Sequence, residues 1–150
     1  MRLRIEQSDS VENPEIYIKC GIIDENLQHI IDEIKLRMFC VNGVKDGAVY
    51  NLALDEICYF ESMDNKTLAY CEKEVFQCSY KLYELEEKTS KLSFMRISKY
   101  VIANITKIQC VKPQLNGGLE AVFCNGERQR VERSYVKELR NKLKALYILA

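Results

Sequence analysis

The sequence predicts a mainly β domain with short helices and antiparallel sheets, preceded by a short β/α extension over residues 1–40. Three observations predict it. After Phe39 the apolar residues recur mostly at every second position, in short runs. Turn-forming sequences such as Asp64-Asn65-Lys66, Asn116-Gly117-Gly118 and Asn125-Gly126 separate those runs. The helical spacing of three and four residues appears in only a few places.

In the extension, Arg2–Glu6 and Glu15–Cys20 alternate and predict strands, with a polar loop between them. Leu27, Ile30, Ile31, Ile34 and Met38 then form one stripe, which predicts an amphipathic helix over Asp24–Met38 with Asp24 as N-cap. That stripe suits packing on its own domain, or a second copy. From Phe39 onward the expected elements are a strand to Asn42, a turn over Gly43–Gly47, a strand at Ala48–Leu52 and an apolar segment at Leu54–Phe60. Strands at Thr67–Cys71 and Val75–Ser79 follow, then a short helix over Tyr80–Thr89. Phe94–Ile97, Tyr100–Asn104 and Ile105–Lys112 are the next strand segments. The two Asn-Gly turns connect Cys110–Gln114, Leu119–Cys124 and Arg128–Val131. A closing helix over Ser134–Leu146 carries Val136, Leu139, Leu143 and Leu146 on one stripe, with Ser134 as its N-cap.

A chain of 150 residues with 47% hydrophobic content is long enough to bury a core without staples. It divides into the extension and a domain over residues 41–150. No apolar run approaches the roughly 20 residues that span a bilayer. Residues 1–10 carry no apolar segment of the secretory kind. A soluble, cytoplasmic protein is expected.

The net charge is zero, yet residues 1–87 carry 9 basic and 18 acidic side chains, and residues 88–150 carry 13 and 4. A basic half of this size either pairs with the acidic half or seeks an anion, and nucleic acid is the commonest large one. The seven cysteines show no zinc-type spacing, and their number is odd. Reduced, buried thiols are expected, with a redox switch at no particular cysteine as the other reading.

Catalytic chemistry finds no support. His29, the single histidine, falls within a helix. Gly117-Gly118 precedes a strand, unlike a phosphate-binding loop. Asp55-Glu56 and Glu86-Glu87 are adjacent carboxylates whose side chains diverge. No catalytic residue, metal or cofactor is expected. The informative residues are basic and lie in loops: Asn65-Lys66, Arg96 to Lys99, and Arg128, Arg130 and Arg133. Arg and Lys read guanine edges, Asn reads adenine, and Ser or a helix N-terminus holds phosphate.

Three blocks carry a family resemblance. They are ICYFESMDNKTL at Ile57–Leu68, FMRISKYVIANI at Phe94–Ile105, and LNGGLEAVFCNGERQRVER at Leu115–Arg133, followed by SYVKEL. In order and spacing they resemble the signature blocks of the LytTR DNA-binding domain, over residues 40–147. The resemblance implies an elongated fold of antiparallel sheets in a bacterial transcription regulator related to response regulators. It implies loops inserted into successive major grooves of a direct-repeat promoter site, with two copies on DNA.

Carried over residue by residue, it implies base contacts from Asn65, Lys66, Lys99, Arg133 and Ser134. Phosphate contacts would come from Arg96, Ser98, Tyr135 and Lys137, with Lys66 touching both. Tyr59, Phe60, Ile97, Val101, Ile102 and Leu139 would be core. Glu132 stands where the family commonly has serine, and Lys99-Tyr100 replaces the usual pair. Residues 1–40 are too short for a receiver domain, so a stand-alone regulator is expected. The partners implied are double-stranded DNA, a second copy of the chain, and more weakly a regulatory membrane protein. The alternative is a protein-binding module on the same fold with little DNA affinity.

Overall fold

The described residues form ten strands and three helices, which from Asp24 onward follow the order the periodicities predict. The structure, a computed structural model, describes residues 1–149. The helices are α1 (Glu25–Met38), α2 (Leu82–Thr89) and α3 (Arg133–Leu149). The strands are β1 (Cys40–Lys45), β2 (Ala48–Ala53), β3 (Ile57–Met63), β4 (Lys66–Cys71), β5 (Val75–Cys78), β6 (Phe94–Ser98), β7 (Val101–Asn104), β8 (Ile108–Pro113), β9 (Leu119–Phe123) and β10 (Arg128–Val131). Seven of them form one sheet in the order β2-β1-β5-β4-β3-β7-β6, and three form a second in the order β10-β9-β8. Every pairing is antiparallel.

Side chains alternate across the large sheet, so each face builds its own core. On one face Tyr59, Met95, Ile97, Val101 and Ala103 pack against Leu119, Phe123 and Val131 of the small sheet and against Leu139 and Leu143 of α3. On the other, Phe60, Phe76, Phe94 and Ile102 meet Leu36 of α1 and Leu82 and Leu85 of α2. Each large apolar side chain buried this way contributes about 1.5–3 kcal/mol. All six residues expected in the core are buried. The register of β3 on β4 shifts between Ile57 and Tyr59, so Cys58 and Tyr59 both face the first core.

Buried Asn104 fastens the middle of the molecule. Its Nδ2 donates to the Ile57 carbonyl at 3.0 Å. Its Oδ1 accepts from the Thr106 amide, the Thr106 hydroxyl and the Ser93 hydroxyl. One side chain thus satisfies groups from three separate segments.

Several expectations change. The N-terminal helix forms and Asp24 caps it, accepting the Leu27 amide at 2.8 Å. The strands expected at Arg2–Glu6 and Glu15–Cys20 do not form; no neighbouring strand is there to pair with them. Gly43, read as the start of a turn, sits inside β1, and the turn is only Asp46-Gly47. A Cβ at Gly43 would lie 2.6 Å from Leu52 and 2.7 Å from Phe76, so this glycine permits a close crossing. Leu54–Glu56 and Ile105–Lys107 are single 3-10 turns ahead of their strands. α3 starts at Arg133, which places Ser134 inside its first turn and not at its N-cap. The cysteines are not uniformly buried: Cys58 and Cys78 are, Cys71 is half-buried, and Cys20, Cys40, Cys110 and Cys124 are exposed.

Candidate nucleic-acid interface

Antiparallel pairing brings the predicted loops to one end of the molecule. The ends of β3 and β6, and the starts of β4 and β7, lie there because Met63 faces Lys66, Glu61 faces Val101 and Ser98 faces Val101. The β3–β4 turn is built by Asp64 and Asn65, both left-handed at φ 51° and 61°. That conformation matches a two-residue hairpin, and Asp and Asn tolerate it better than most residues. The Lys81 ammonium donates to the Asn65 carbonyl at 3.3 Å, tying this turn to the start of α2.

A series of hydrogen bonds links the turns. The Ser62 amide donates to the Tyr100 carbonyl at 2.8 Å, joining the β3–β4 hairpin to the β6–β7 turn. The Lys99 amide donates to Glu132 Oε1 at 3.3 Å, and the Glu132 amide donates to the Ile97 carbonyl at 2.9 Å. These two bonds fix the β6–β7 turn against the head of α3. Arg133 Nη2 donates to the Asn116 carbonyl at 3.0 Å, joining that head to the β8–β9 hairpin. Gly117, at φ 78°, makes room there: a Cβ would sit 2.9 Å from Arg133 Nε.

Each predicted residue has a definite place. Asn65, Lys66, Lys99, Arg133 and Ser134 are all exposed. Among the described residues Lys66, Lys99 and Arg133 make no ion pair with a carboxylate. The Lys99 ammonium lies over its neighbour's ring, 5.4 Å from the centroid of Tyr100. Ser98 is buried, and its hydroxyl oxygen accepts the Tyr100 amide at 3.3 Å. Tyr135 is half-buried against the core, and Lys137 is exposed.

Arg96 is turned inward. Its side chain is 18% exposed, with Nε 2.6 Å from Glu86 Oε2. Its Nη1 donates to the Lys99 carbonyl at 2.7 Å. A phosphate contact from Arg96 would have to displace Glu86.

Two features escaped the sequence reading. Arg133, Lys137, Arg140 and Lys144 are all exposed on α3 at spacings of four, three and four, which puts them on one side of the helix. That spacing was the available signal. Glu132 acts as an anchor for the Lys99 amide, which no local pattern reveals because the partners are 33 residues apart. Behind the turns, Gln129 Nε2 donates to Glu61 Oε2 at 2.9 Å. Burial raises the Glu61 carboxyl above its usual range, and the Gln129 bond works against that rise. The described residues contain no cluster of His, Cys, Asp or Glu able to hold a metal ion. None of their helices is long and apolar enough to cross a membrane.

Antiparallel sheets presenting cationic turns and a basic helix head define a nucleic-acid-binding class of domain. The family described as the LytTr DNA-binding domain matches residues 47–144. The chain belongs to the LytTR DNA-binding domain family. It is similar to the sensory transduction protein LytT of Enterococcus faecalis, 32% identical over 99 residues, covering 65% of this chain and 40% of that protein. The LytT of Bacillus cereus is 31% identical over 91 residues, covering 61% of this chain and 37% of that protein. The match thus spans about two fifths of these curated relatives. A solved LytTr DNA-binding domain from Bacillus cereus superimposes with a TM-score of 0.65 at 27% identity, covering 69% of this chain and 95% of that one.

Proposed function

We propose that the protein is a sequence-specific transcription regulator that inserts its turns into successive major grooves of a direct-repeat promoter site. The carrying observation is the hydrogen-bonded series Ser62–Tyr100, Lys99–Glu132 and Arg133–Asn116, which holds three cation-bearing segments at one end of the fold. Asn65, Lys66, Lys99, Arg133 and Ser134 read base edges in this account. Lys137 and Tyr135 take phosphate, buried Ser98 instead shapes the β6–β7 turn through the Tyr100 amide, and Arg140 and Lys144 extend the phosphate track along α3. Arg96 is a positioning residue: it holds the Lys99 carbonyl and so directs the Lys99 side chain. Two copies occupy the two half-sites.

Selection of bound duplexes from a random pool tests the reading. The expected product is a direct repeat whose half-sites lie about one helical turn, roughly 10 base pairs, apart. The same selection with Lys99→Ala should lose preference at one position of each half-site, at a cost of about 1–3 kcal/mol. A pool that never departs from random composition would overturn the proposal and favour a protein-binding role.

A further inference from the structure

At the end of β3 away from the interface turns, two thiols meet across the gap between the sheets. Cys58 is the second residue of β3 of the large sheet, and Cys124 follows β9 of the small one. Their sulfurs are 3.8 Å apart, although the residues are 66 positions apart in the chain. Cys58 is 1% exposed, whereas Cys124 is exposed. Both line an open cleft with Lys107, Asp55, Glu56 and half-buried Cys71.

We propose that Cys124 and Cys58 are a peroxide-oxidised thiol pair whose disulfide fastens the small sheet to the large one. Exposure assigns the order of events. Cys124 reacts first, as the thiolate: its sulfur attacks one peroxide oxygen, the O–O bond breaks, and sulfenic acid and hydroxide result. Cys58 then attacks the Cys124 sulfur. The S–S bond forms, the S–OH bond breaks, and the Cys58 proton leaves with the departing hydroxide as water. Two thiols and one hydroperoxide thus give one disulfide and, for hydrogen peroxide, two waters.

The local backbone can follow this closure. The sulfurs must approach from contact distance to about 2 Å. Cys58 lies in the register shift between Ile57 and Tyr59, where the β3–β4 ladder is already interrupted. Cys124 lies beyond the last residue of β9, with its amide on the Lys107 carbonyl at 2.9 Å. Burial pushes the Cys58 thiol up to about 12, with Cys124 beside it adding to the rise. Cys58 therefore waits as the thiol and does not compete for peroxide. Cys71 shares the cleft, and its thiol is likewise raised, to about 11, by burial.

Peptide mapping of the full chain after stoichiometric hydrogen peroxide tests it, with free thiols blocked under non-reducing conditions. The expected main product is a Cys58–Cys124 link that dithiothreitol reverses. Dimedone added early should label Cys124. In Cys124→Ser, an exposed and structurally mild change, Cys58 should stay a free thiol. The linked protein should melt at least about 4 °C higher than the reduced protein. Cys124 proceeding to sulfinic acid beside an unreacted Cys58 would overturn the proposal. So would Cys58 linked instead to Cys71, or a link that leaves the melting temperature unchanged.

Discussion

Replacing Arg96 by alanine separates two roles that a cation at this place can have. The guanidinium makes two charge-assisted contacts, to Glu86 at 2.6 Å and to the Lys99 carbonyl at 2.7 Å. Glu86 is 51% exposed, so solvent screening limits the ion pair to about 1 kcal/mol or less. The bond to the carbonyl, made by a largely buried donor, is worth about 1–1.5 kcal/mol. Arg96→Ala should therefore cost about 2 kcal/mol of stability, measured by urea denaturation. It also frees the β6–β7 turn that carries Lys99. Specific DNA affinity should fall by roughly five- to thirty-fold, which corresponds to about 1–2 kcal/mol. Binding to scrambled duplex should barely change. The dependence of binding on salt decides between the roles. A residue that neutralises phosphate contributes about 0.9 to the slope of log affinity against log salt, whereas a positioning residue contributes almost nothing. A slope reduced by about 0.9, with scrambled DNA weakened equally, would refute the positioning argument. Unchanged stability would refute the energy assigned to the two contacts.

Other perturbations report on neighbouring parts of the structure. Asn104→Ala strands the buried Ile57 carbonyl, removes the acceptor of the part-buried Thr106 amide, and should cost about 2 kcal/mol or more in urea unfolding. A loss below 1 kcal/mol would show that these groups find other partners. Gly117→Ala meets both a left-handed backbone and Arg133 Nε at 2.9 Å, so it should cost about 1–2 kcal/mol and weaken specific DNA binding. Equal affinity in wild type and variant would remove Arg133 from base reading. Burial raises the Glu61 carboxyl, so its native pKa lies above its unfolded one. Its ionisation therefore opposes folding as pH rises through the carboxylate range, and the penalty is complete above the native value. Glu61→Gln should stabilise the protein at pH 7, with the gain vanishing at low pH; a gain that grew on acidification would contradict this.

Much of the fold was legible because it rests on local periodicity. The Asp24 cap, the Asn-Gly hairpins and the alternation of Tyr59 and Phe60 each follow from short-range rules that packing later reinforces. The failures share a cause in residues distant along the chain. Gly43 reads as a turn until Leu52 and Phe76 are seen crossing it. Arg2–Glu6 alternates like a strand, but a strand needs a neighbour. Ser134 resembles an N-cap, yet the head of α3 is set one residue earlier, beside the Glu132–Ile97 backbone bond. At the site, the exposed residues Asn65, Lys66, Lys99 and Arg133 came from the family blocks. The bonds that hold them in one array came only from the three-dimensional structure. Glu132 illustrates the difference. By sequence it is a negative charge in an awkward place, whereas in the fold it fixes the turn that carries Lys99.

Sequence-selective DNA recognition is tested by fluorescence anisotropy with the DNA upstream of the protein's own gene, at several salt concentrations, against scrambled duplex and pooled genomic fragments. Tight, sequence-selective binding with a steep negative salt slope, about 0.9 per phosphate neutralised, is expected. Equal binding to the scrambled duplex and to every natural fragment would contradict it.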